Sequence, residues 1–479
     1  MIRSRSNAFG DELCGSCVPS NIVNVLLASS SSSTSSNSST NNVITSSAGE
    51  YVMCLALPCE FQDSSSSSSA ISTSTTRFYN SDLSISCGLS NGRIQLYNVE
   101  QMKLRHTMSI PNNHATDSND NTSNGKSPIT DLCYHSHSNM IVGSVQDGSV
   151  HIFDIRQPHH RPTSCTCSSW KIPHQEEALS ISMGYGGTVL AVGGGKGNIH
   201  FVDIRCATTT TNPSSSSLLG SYVESHLEEV TCLLFQSTSS SSLLASASED
   251  GLLCTFDTSK PTEDSALCSV MNVSNSIRRI GFFGPHKEGL FSLTGSETMN
   301  CWHHDSAQLL VPDNFNLRRQ LSKSSTIQHV DNSTTTTTTT TAAQNTSDTT
   351  IDYLIDAFWN DKTDSLTLIA GNNSGSTVAM HSVQADGSTS LLYQLLDGHL
   401  GCVRASQVIP AGVPWNSSNN HNNNTTNATS FFDNKMIVIT GGEDSRLCRW
   451  DVGMPLAAAT SSSVTHIGNG GINHKKVKL

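Results

Sequence analysis

Basic residues are scarce in this sequence of 479 residues, and long apolar runs are absent. Lys and Arg number 27 against 39 Asp and Glu, which gives a formal net charge of −12. Nucleic-acid binders usually need a basic face that neutralises phosphates, so we expect no direct nucleic-acid binding. No stretch reaches ~18 consecutive apolar residues, and the N-terminus lacks the apolar core of a signal peptide. We therefore expect no membrane association and an intracellular protein of the nucleus, the cytoplasm or both.

Hydrophobic residues are also few, at 35% of the chain, because Ser, Thr and Asn are over-used in low-complexity runs. Such runs cannot bury enough apolar surface to offset the entropy of ordering them. We expect them to be disordered loop inserts within one large β domain. They lie near 29–48, 64–76, 111–127, 207–217, 236–242, 323–350 and 416–430.

The 15 cysteines do not indicate a disulfide framework or a metal site. Several occur inside apolar, strand-like runs, where a free thiol behaves as a small hydrophobe. Cys14 and Cys17 have a zinc-like spacing, but no second pair follows at a suitable distance. The sequence therefore predicts neither a metal nor another cofactor.

One short pattern recurs seven times along the chain. It consists of a strand of small residues, a tight turn and an alternating apolar strand, and the turns favour pairs such as Asn91-Gly92 and Asp250-Gly251 that tolerate a positive φ. The copies occupy 86–98, 142–154, 191–203, 245–257, 292–304, 369–381 and 439–451.

Each copy is accompanied by further strand-like segments. Apolar strands precede most copies, for example at 129–134 and 230–235, and fourth strands are suggested at 218–223 and 391–397. Four strands repeated seven times, with a period stretched by inserts beyond the ~40–45 residues of WD repeats, predict an all-β, seven-bladed WD40 propeller.

The propeller also sets the expected domain boundaries. We predict a flexible N-terminus at 1–20, the propeller at 21–455 and a flexible basic tail at 456–479. Residues 21–28 could supply the outermost strand of the last blade, which would join the chain ends and remove an exposed edge. The segment after Trp450 is the competing candidate for that strand.

Insert positions predict which face of the propeller is available for contacts. The inserts at 64–76, 207–217, 236–242 and 416–430 follow first or third strands and are expected on one face. The opposite face is expected to carry mostly short loops, except near 111–127. Our hypothesis is that this short-looped face carries the main contact surface.

The last blade contains the fullest set of polar residues typical of WD repeats, namely His399, Thr440, Asp444 and Trp450. In the WD pattern the imidazole bridges the carboxylate and the hydroxyl, and the hydroxyl bonds to the indole N–H. The set resembles a catalytic triad, but it recurs in a repeat and lacks a nucleophile elbow. We therefore expect a structural role and no enzymatic activity. Blade 4 offers an incomplete set: His226, Ser246 and Asp250.

Two consecutive units end in Asp-x-Arg, at Asp154 with Arg156 and at Asp203 with Arg205. These endings resemble the Trp-Asp-x-Arg ending of substrate receptors of cullin-4 ubiquitin ligases, where the Arg contacts the adaptor. The simpler interpretation is that Asp-x-Arg is a common way for a blade to end.

Three longer stretches resemble the WD repeat-containing protein 89 family. They are SYVESHLEEVTCLLF with LLASASEDGLLCTFD, IDYLIDAFWNDKTDSLTLIAGNNSG, and GHLGCVRA with TGGEDSRLCRWD. The resemblance runs from about residue 80 to the basic tail. It implies a seven-bladed scaffold without catalytic residues; the family has Trp where this chain has Phe153 and Val202.

These observations lead to one main functional expectation and one alternative. The chain is expected to be a non-catalytic scaffold that binds other proteins, as a monomer within a larger complex. The alternative is a substrate receptor of a cullin-4-type ubiquitin ligase.

Overall fold

Seven antiparallel sheets form the blades of a propeller in the computed structural model. The structure describes residues 15–17, 21–24, 50–58, 83–110, 127–135, 138–155, 166–207, 217–236, 242–311, 317, 321, 351–375, 377–410 and 435–453. The prediction of a seven-bladed all-β propeller is confirmed.

The first four blades follow one another along the chain after two short N-terminal strands, β1 (Gly15–Cys17) and β2 (Asn21–Asn24). Blade 1 comprises β3 (Val52–Ala56), β4 (Ser84–Leu89), β5 (Arg93–Asn98) and β6 (Leu104–Ser109). Blade 2 comprises β7 (Ile129–His135), β8 (Met140–Val145), β9 (Ser149–Asp154) and β10 (Thr166–Lys171). Blade 3 comprises β11 (Ala178–Gly184), β12 (Val189–Gly194), β13 (Ile199–Asp203) and β14 (Leu218–Tyr222). Blade 4 comprises β15 (Val230–Phe235), β16 (Leu243–Ser248), β17 (Leu252–Asp257) and β18 (Leu267–Asn272).

The last three blades complete the ring. Blade 5 comprises β19 (Ile277–Phe283), β20 (Gly289–Thr294), β21 (Met299–His303) and β22 (Gln308–Leu309). Blade 6 comprises β23 (Tyr353–Asn360), β24 (Ser365–Gly371), β25 (Thr377–Val383) and β26 (Thr389–Leu396). Blade 7 comprises β27 (Val403–Ile409), β28 (Lys435–Gly442), β29 (Arg446–Gly453) and the N-terminal β2. Short helical turns accompany blades 2 to 4: Pro173–Gln175, Tyr185–Gly187, α1 (Ile204–Ala207) and α2 (Glu263–Ala266).

The N-terminal segment closes the propeller. Strand β2 pairs antiparallel with β29, which places Asn21 opposite Arg449 and makes β2 the outermost strand of blade 7. This is the place that the sequence suggested for 21–28; residues 25–28 and those after 453 lie outside the described residues. Strand β1 pairs parallel with β26 and adds a fifth strand to blade 6. A strand at Gly15–Cys17 thus lies within the stretch 1–20 that was expected to be flexible.

The predicted turns have the expected backbone conformation, which is a positive φ. In all seven blades the turn between the second and third strands contains a residue with positive φ. Glycine, which has no Cβ to clash, occupies five of these positions. The seven residues are Gly92, Gly148, Gly197, Gly251, Glu297, Gly375 and Ser445.

The apolar core lies between the blades. Each of seven clusters of buried side chains joins two neighbouring blades, and one of them packs Leu55 and Ile85 of blade 1 against Ile439 and Leu447 of blade 7. The first strands also contact their neighbours all the way round, including β27 with β3. The ring is therefore closed by packing as well as by strand pairing.

Every first strand carries a β-bulge near its start, which no sequence signal had indicated. The pairing skips one residue in each first strand, for example Thr130 between Ile129 and Asp131. A bulge leaves its extra residue unpaired and increases the local twist. The seven skipped residues line one axial cavity of about 420 Å³: Met53, Thr130, Leu179, Thr231, Arg278, Ile355 and Arg404.

No helix in the described part of the chain has the length and apolar character needed to cross a bilayer.

Candidate functional site

The polar set of blade 7 forms a continuous hydrogen-bonded chain. His399 Nδ1 lies 3.1 Å from Asp444 Oδ1, and His399 Nε2 lies 2.8 Å from Thr440 Oγ1. Trp450 Nε1 donates to the same hydroxyl at 2.9 Å. Because a carboxylate only accepts, Nδ1 holds the imidazole proton, Nε2 accepts from Thr440, and the hydroxyl oxygen accepts from the indole. The backbone N–H of Leu400 completes the chain by donating to Asp444 at 2.7 Å.

Burial and hydrogen bonding act in opposite directions on Asp444. Burial would raise its pKa, but the hydrogen bond from His399 and the backbone N–H groups of Leu400 and Arg446 hold the pKa below its ordinary value. The carboxylate is therefore ionised at neutral pH, and His399 beside it is completely buried. A substrate could not reach these side chains without opening the blade.

Blade 4 repeats most of this arrangement. His226 lies 3.2 Å from Asp250 and 2.6 Å from Ser246, and Leu227 N donates to Asp250 at 3.0 Å. Burial opposes ionisation, yet these bonds lower the pKa of Asp250 to about 2. Phe256 stands where blade 7 has Trp, so the indole bond is missing.

Blade 3 has a polar chain that the sequence analysis missed. His200 Nε2 lies 2.8 Å from Glu176 Oε1, and His200 Nδ1 lies 2.7 Å from Ser221 Oγ. Asn198 and the backbone of Lys196 also donate to the Glu176 carboxylate. The sequence feature that could have revealed this polar chain is His200, a polar residue within the apolar third strand.

Charged residues at the axial cavity join neighbouring first strands. Asp131 accepts from the backbone N–H of Leu132 at 2.8 Å and of Ile181 at 3.0 Å, which links blades 2 and 3. Burial raises the pKa of Asp131. Arg279 pairs with Asp356 of the next blade, with an N to O distance of 3.2 Å. The charged residues of the cavity wall are therefore explained by the links that they form between neighbouring blades.

The structure describes both residues of only one of the two Asp-x-Arg endings, Asp203 with Arg205. Arg205 donates through Nε and Nη2 to the two oxygens of Asp203, at 3.0 and 2.7 Å. The Arg205 side chain stays 73% exposed, so the pair holds an accessible guanidinium in a fixed orientation. Asp154 ends β9, whereas Arg156 lies outside the described residues.

Strand order decides which face each insert joins, and it corrects one expectation. The connections that contain 64–76, 207–217, 236–242 and 416–430 do follow first or third strands, so they start and end at one face. However, the connections that contain 29–48 and 323–350 run from a fourth strand to the next first strand, as does the connection that contains 111–127, so they start and end at the opposite face. The expectation that this opposite face is short-looped except near 111–127 was therefore wrong.

One arc of that opposite face does carry only short connections. Between blades 2 and 5 the links from each fourth strand to the next first strand occupy 172–177, 223–229 and 273–276. We call these three links the short arc. Its most exposed large apolar side chain is Leu227, at 85%. The hydrogen bond from Leu227 N to the Asp250 carboxylate fixes the backbone from which this side chain projects.

The short arc is also acidic. Partial burial and the nearby carboxylates of Glu249, Glu177 and Glu228 raise the pKa of Glu229. Burial is the larger cause of this shift, and the neighbouring carboxylates add to it by repelling the charged form of Glu229. The arc therefore combines an exposed leucine with negative charge.

No group of three or more His, Cys, Asp or Glu side chains within the described ranges is arranged to hold a metal ion. The expectation of no metal or cofactor remains a prediction.

Comparisons with known proteins agree with this architecture. WD repeat-containing protein GTS1 of Arabidopsis thaliana is 29% identical over 281 residues, 58% of this chain and 59% of that protein. WD repeat-containing protein 89 homolog of Dictyostelium discoideum is 27% identical over 197 residues, 41% of this chain and 49% of that protein. The matches thus span 59% of the first relative and 49% of the second, about half of their length. No family model matches the sequence.

A solved structure shows the same fold. A chain in the crystal structure of the mitotic checkpoint complex superposes with a TM-score of 0.54, covering 95% of this chain and 97% of that chain. The sequence identity is 12%, so the likeness concerns the fold alone.

Proposed function

Since the chain is a WD40-repeat propeller protein of the WD repeat-containing protein 89 type, we propose that it is a non-catalytic scaffold that binds other proteins through the short arc. The observation that carries the proposal is Leu227, which is 85% exposed on a backbone held by Asp250. An apolar side chain presented in a fixed position loses little entropy on binding, which suits an interface anchor.

Burial of the polar chains supports a non-catalytic role. The His399 and His226 side chains are fully buried, and the Asp444 and Asp250 side chains are each 8% exposed. The same residue types recur in two blades, as an architectural role requires. We propose no direct contact with nucleic acid or membrane, and a monomer that joins a larger complex in the nucleus, the cytoplasm or both.

Affinity purification of the full chain with quantitative mass spectrometry tests this function. We expect Leu227→Asp to reduce capture of one set of proteins at least about tenfold, because a desolvated apolar anchor is replaced by a charge. Leu400→Asp is the matched control, because Leu400 also follows a buried His, is 72% exposed and lies outside the short arc. An unchanged set of proteins for both variants would refute the assignment to this arc.

A second candidate function rests on the exposed guanidinium of Arg205. An Arg fixed by two bonds to Asp203 is a suitable point for an adaptor carboxylate, as in a cullin-4 substrate receptor. A pull-down with the cullin-4 adaptor should then succeed for the wild type and fail for the double variant Arg156→Ala, Arg205→Ala. Equal recovery of the adaptor, or none from either protein, would exclude this candidate.

A further inference from the structure

Exposed apolar side chains concentrate on two neighbouring blades. Of nine large apolar residues exposed in the described chain, seven lie in or between blades 3 and 4. Five of the seven lie on the outer strands or directly after them, and we call these five the blade 3–4 rim: Leu218, Leu219, Val223, Leu267 and Val270. Their exposed fractions run from 38 to 59%.

The two outer strands are fastened to one another at this rim. Glu263, just before β18, accepts hydrogen bonds from the backbone N–H groups of Val223 at 2.7 Å and Glu224 at 3.0 Å, directly after β14. Tyr222 and Phe256 also place their ring centroids 5.0 Å apart across the two blades. The rim is therefore a single, preformed surface.

The rim includes a free sheet edge. Strand β18 ends its sheet, and β17 is the only described strand that pairs with it. Unpaired strand edges are templates for an added strand, and proteins normally protect them with polar or charged residues.

Blade 4 departs from blades 1, 2 and 3 at this edge. Val270, opposite Cys254, is 44% exposed. In blades 1 to 4 the pairing of the third and fourth strands also skips one residue of the fourth strand. Counted from this skipped residue, the position of Val270 holds Thr107 in blade 1, Ser169 in blade 2 and Ser221 in blade 3. An exposed apolar residue has replaced small hydroxyl residues on the edge strand.

The surroundings of the rim are strongly acidic. Residues 217–236 and 242–277 contain eight Asp and Glu, one Lys and no Arg. That cation, Lys260, lies 3.9 Å from Asp257. Glu224 and Asp264 are exposed beside the rim. An apolar edge in this setting is complementary to a segment that carries both apolar and basic side chains.

The same propeller already accepts an added strand on another blade. Gly15–Cys17 pairs parallel with Tyr393–Leu395 at the outer edge of blade 6. The outer strand of a blade in this molecule can therefore bind one more extended segment.

We propose that the blade 3–4 rim binds an extended segment of a partner protein in which Lys or Arg alternates with Val, Leu or Ile. The segment adds as a strand to the free edge of β18. Its apolar side chains cover Val270 and Leu267, and its basic side chains reach Glu224 and Asp264. Backbone hydrogen bonds supply affinity in such strand addition, and the alternating side chains supply specificity. This surface adjoins the short arc, which shares Val223 and Glu224 with it, but it lacks Leu227, so the inference does not depend on the proposed function.

Fluorescence polarisation with the full chain and a labelled Lys-Val-Lys-Val-Lys-Val-Lys peptide tests the proposal. We expect saturable binding that weakens as salt rises from about 0.05 to 0.5 M, because screening reduces the attraction between the peptide and the carboxylates. A peptide with Glu in place of Lys should not bind. We expect Val270→Lys to weaken binding at least about tenfold. Thr107→Lys, the same edge position in blade 1, should bind like the wild type.

Glu224→Lys provides a second variant that leaves the apolar residues in place, and it should also weaken binding while circular dichroism stays unchanged. Absence of peptide binding to the wild type would overturn the proposal, and so would equal losses for Val270→Lys and Thr107→Lys. If the peptide binds only after residues 474–479 are removed, the chain's own basic tail occupies the rim, and the assignment to a partner protein is wrong.

Discussion

At the scale of single residues, the blades depend on buried polar side chains that complete one another's hydrogen bonds. Thr440 is the central member in blade 7, because it lies between His399 and Trp450. A buried donor that loses its partner costs more free energy than the bond contributed, since the donor has also lost water. The stability of a blade should therefore respond sharply to single atoms.

Replacing Thr440 with Val tests this dependence. The substitution keeps the shape but removes the hydroxyl, so the Trp450 N–H and the His399 ring nitrogen lose their partner. We expect the free energy of unfolding to fall by about 1–3 kcal/mol in urea titration.

Blade 5 supplies the matched control. Ser292 occupies the position of Thr440 by strand register, is completely buried, and its hydroxyl has no hydrogen-bond partner among the described residues. Ser292→Ala should therefore be neutral or slightly stabilising. Equal losses for Thr440→Val and Ser292→Ala would show that the hydrogen-bonded chain adds nothing beyond packing.

Because two histidines are buried, we expect the protein to lose stability in mild acid. Burial lowers the pKa of both His151 and His381 to about 4. The unfolded chain, with an ordinary pKa near ~6.5, binds more protons between these values, so stability falls as pH drops through this window. Each histidine should cost about 2 kcal/mol at about pH 5 relative to neutral pH.

Urea titration near pH 7.5 and near pH 5 measures this effect. The double variant His151→Leu, His381→Leu should lose the part of the pH dependence that the two histidines supply. His286→Leu, at an exposed position, should keep it. An unaltered pH dependence in the double variant would contradict the assignment of the acid sensitivity to these side chains.

Single-residue roles could be predicted only where the repeat reveals them. His399, Thr440, Asp444 and Trp450 match a known spacing, and the structure brings them together. Glu176 lies 24 residues from its partner His200 in a blade without that spacing. Their pairing depends on how two segments fold together, which a single sequence does not encode locally.

At the scale of strands, the N-terminal segment has two separable tasks. Strand β2 covers the outer edge of blade 7, and β1 covers part of the outer edge of blade 6. Free strand edges exchange their amide hydrogens readily and promote association between molecules.

Two truncations separate these tasks. Removal of residues 1–24 should accelerate hydrogen exchange in Arg446–Arg449 and increase self-association, because the edge of blade 7 becomes free. Removal of residues 1–19 should affect Tyr393–Leu395 and leave blade 7 protected. Hydrogen exchange with mass spectrometry, together with sedimentation, distinguishes the two; equal protection of blade 7 in both truncations would contradict closure by β2.

Strands and turns were largely predictable, whereas insert positions were not. Alternation and the turn pairs mark the second and third strands, which carry the strongest local signal. Fourth strands are weaker: in blade 5 the fourth strand is only Gln308–Leu309. Because the face at which a connection starts depends on counting every strand, the connection from β22 to β23, which contains 323–350, was not recognised as starting at the opposite face.

At the scale of the whole molecule, the propeller depends on closure between the last blade and the first. Arg449 is 4% exposed and donates to the backbone carbonyls of Val99 at 2.9 Å and Glu100 at 2.6 Å in blade 1. Gln407 of blade 7 donates to Leu55 O at 3.1 Å. Contacts between residues about 350 positions apart have no local signature, so closure was inferred from the number of repeats and from the candidate closing strand at 21–28.

The close contact of Gly441 with Val52 allows the packing of blade 7 on blade 1 to be tested directly. A Cβ added at Gly441 would lie 2.3 Å from a methyl carbon of Val52, across the boundary between blades 7 and 1. Gly441→Ala should therefore destabilise the protein, and Val52→Ala should relieve part of that clash.

A double-mutant cycle on Gly441→Ala and Val52→Ala, measured as free energies of unfolding, is the most direct test of a closed seven-bladed ring. For a closed ring we expect the double variant to be more stable than the sum of the single losses implies, with a coupling energy of about 0.5–3 kcal/mol. Strict additivity of the two losses would mean that the last blade does not pack on the first, and the ring would then not be closed.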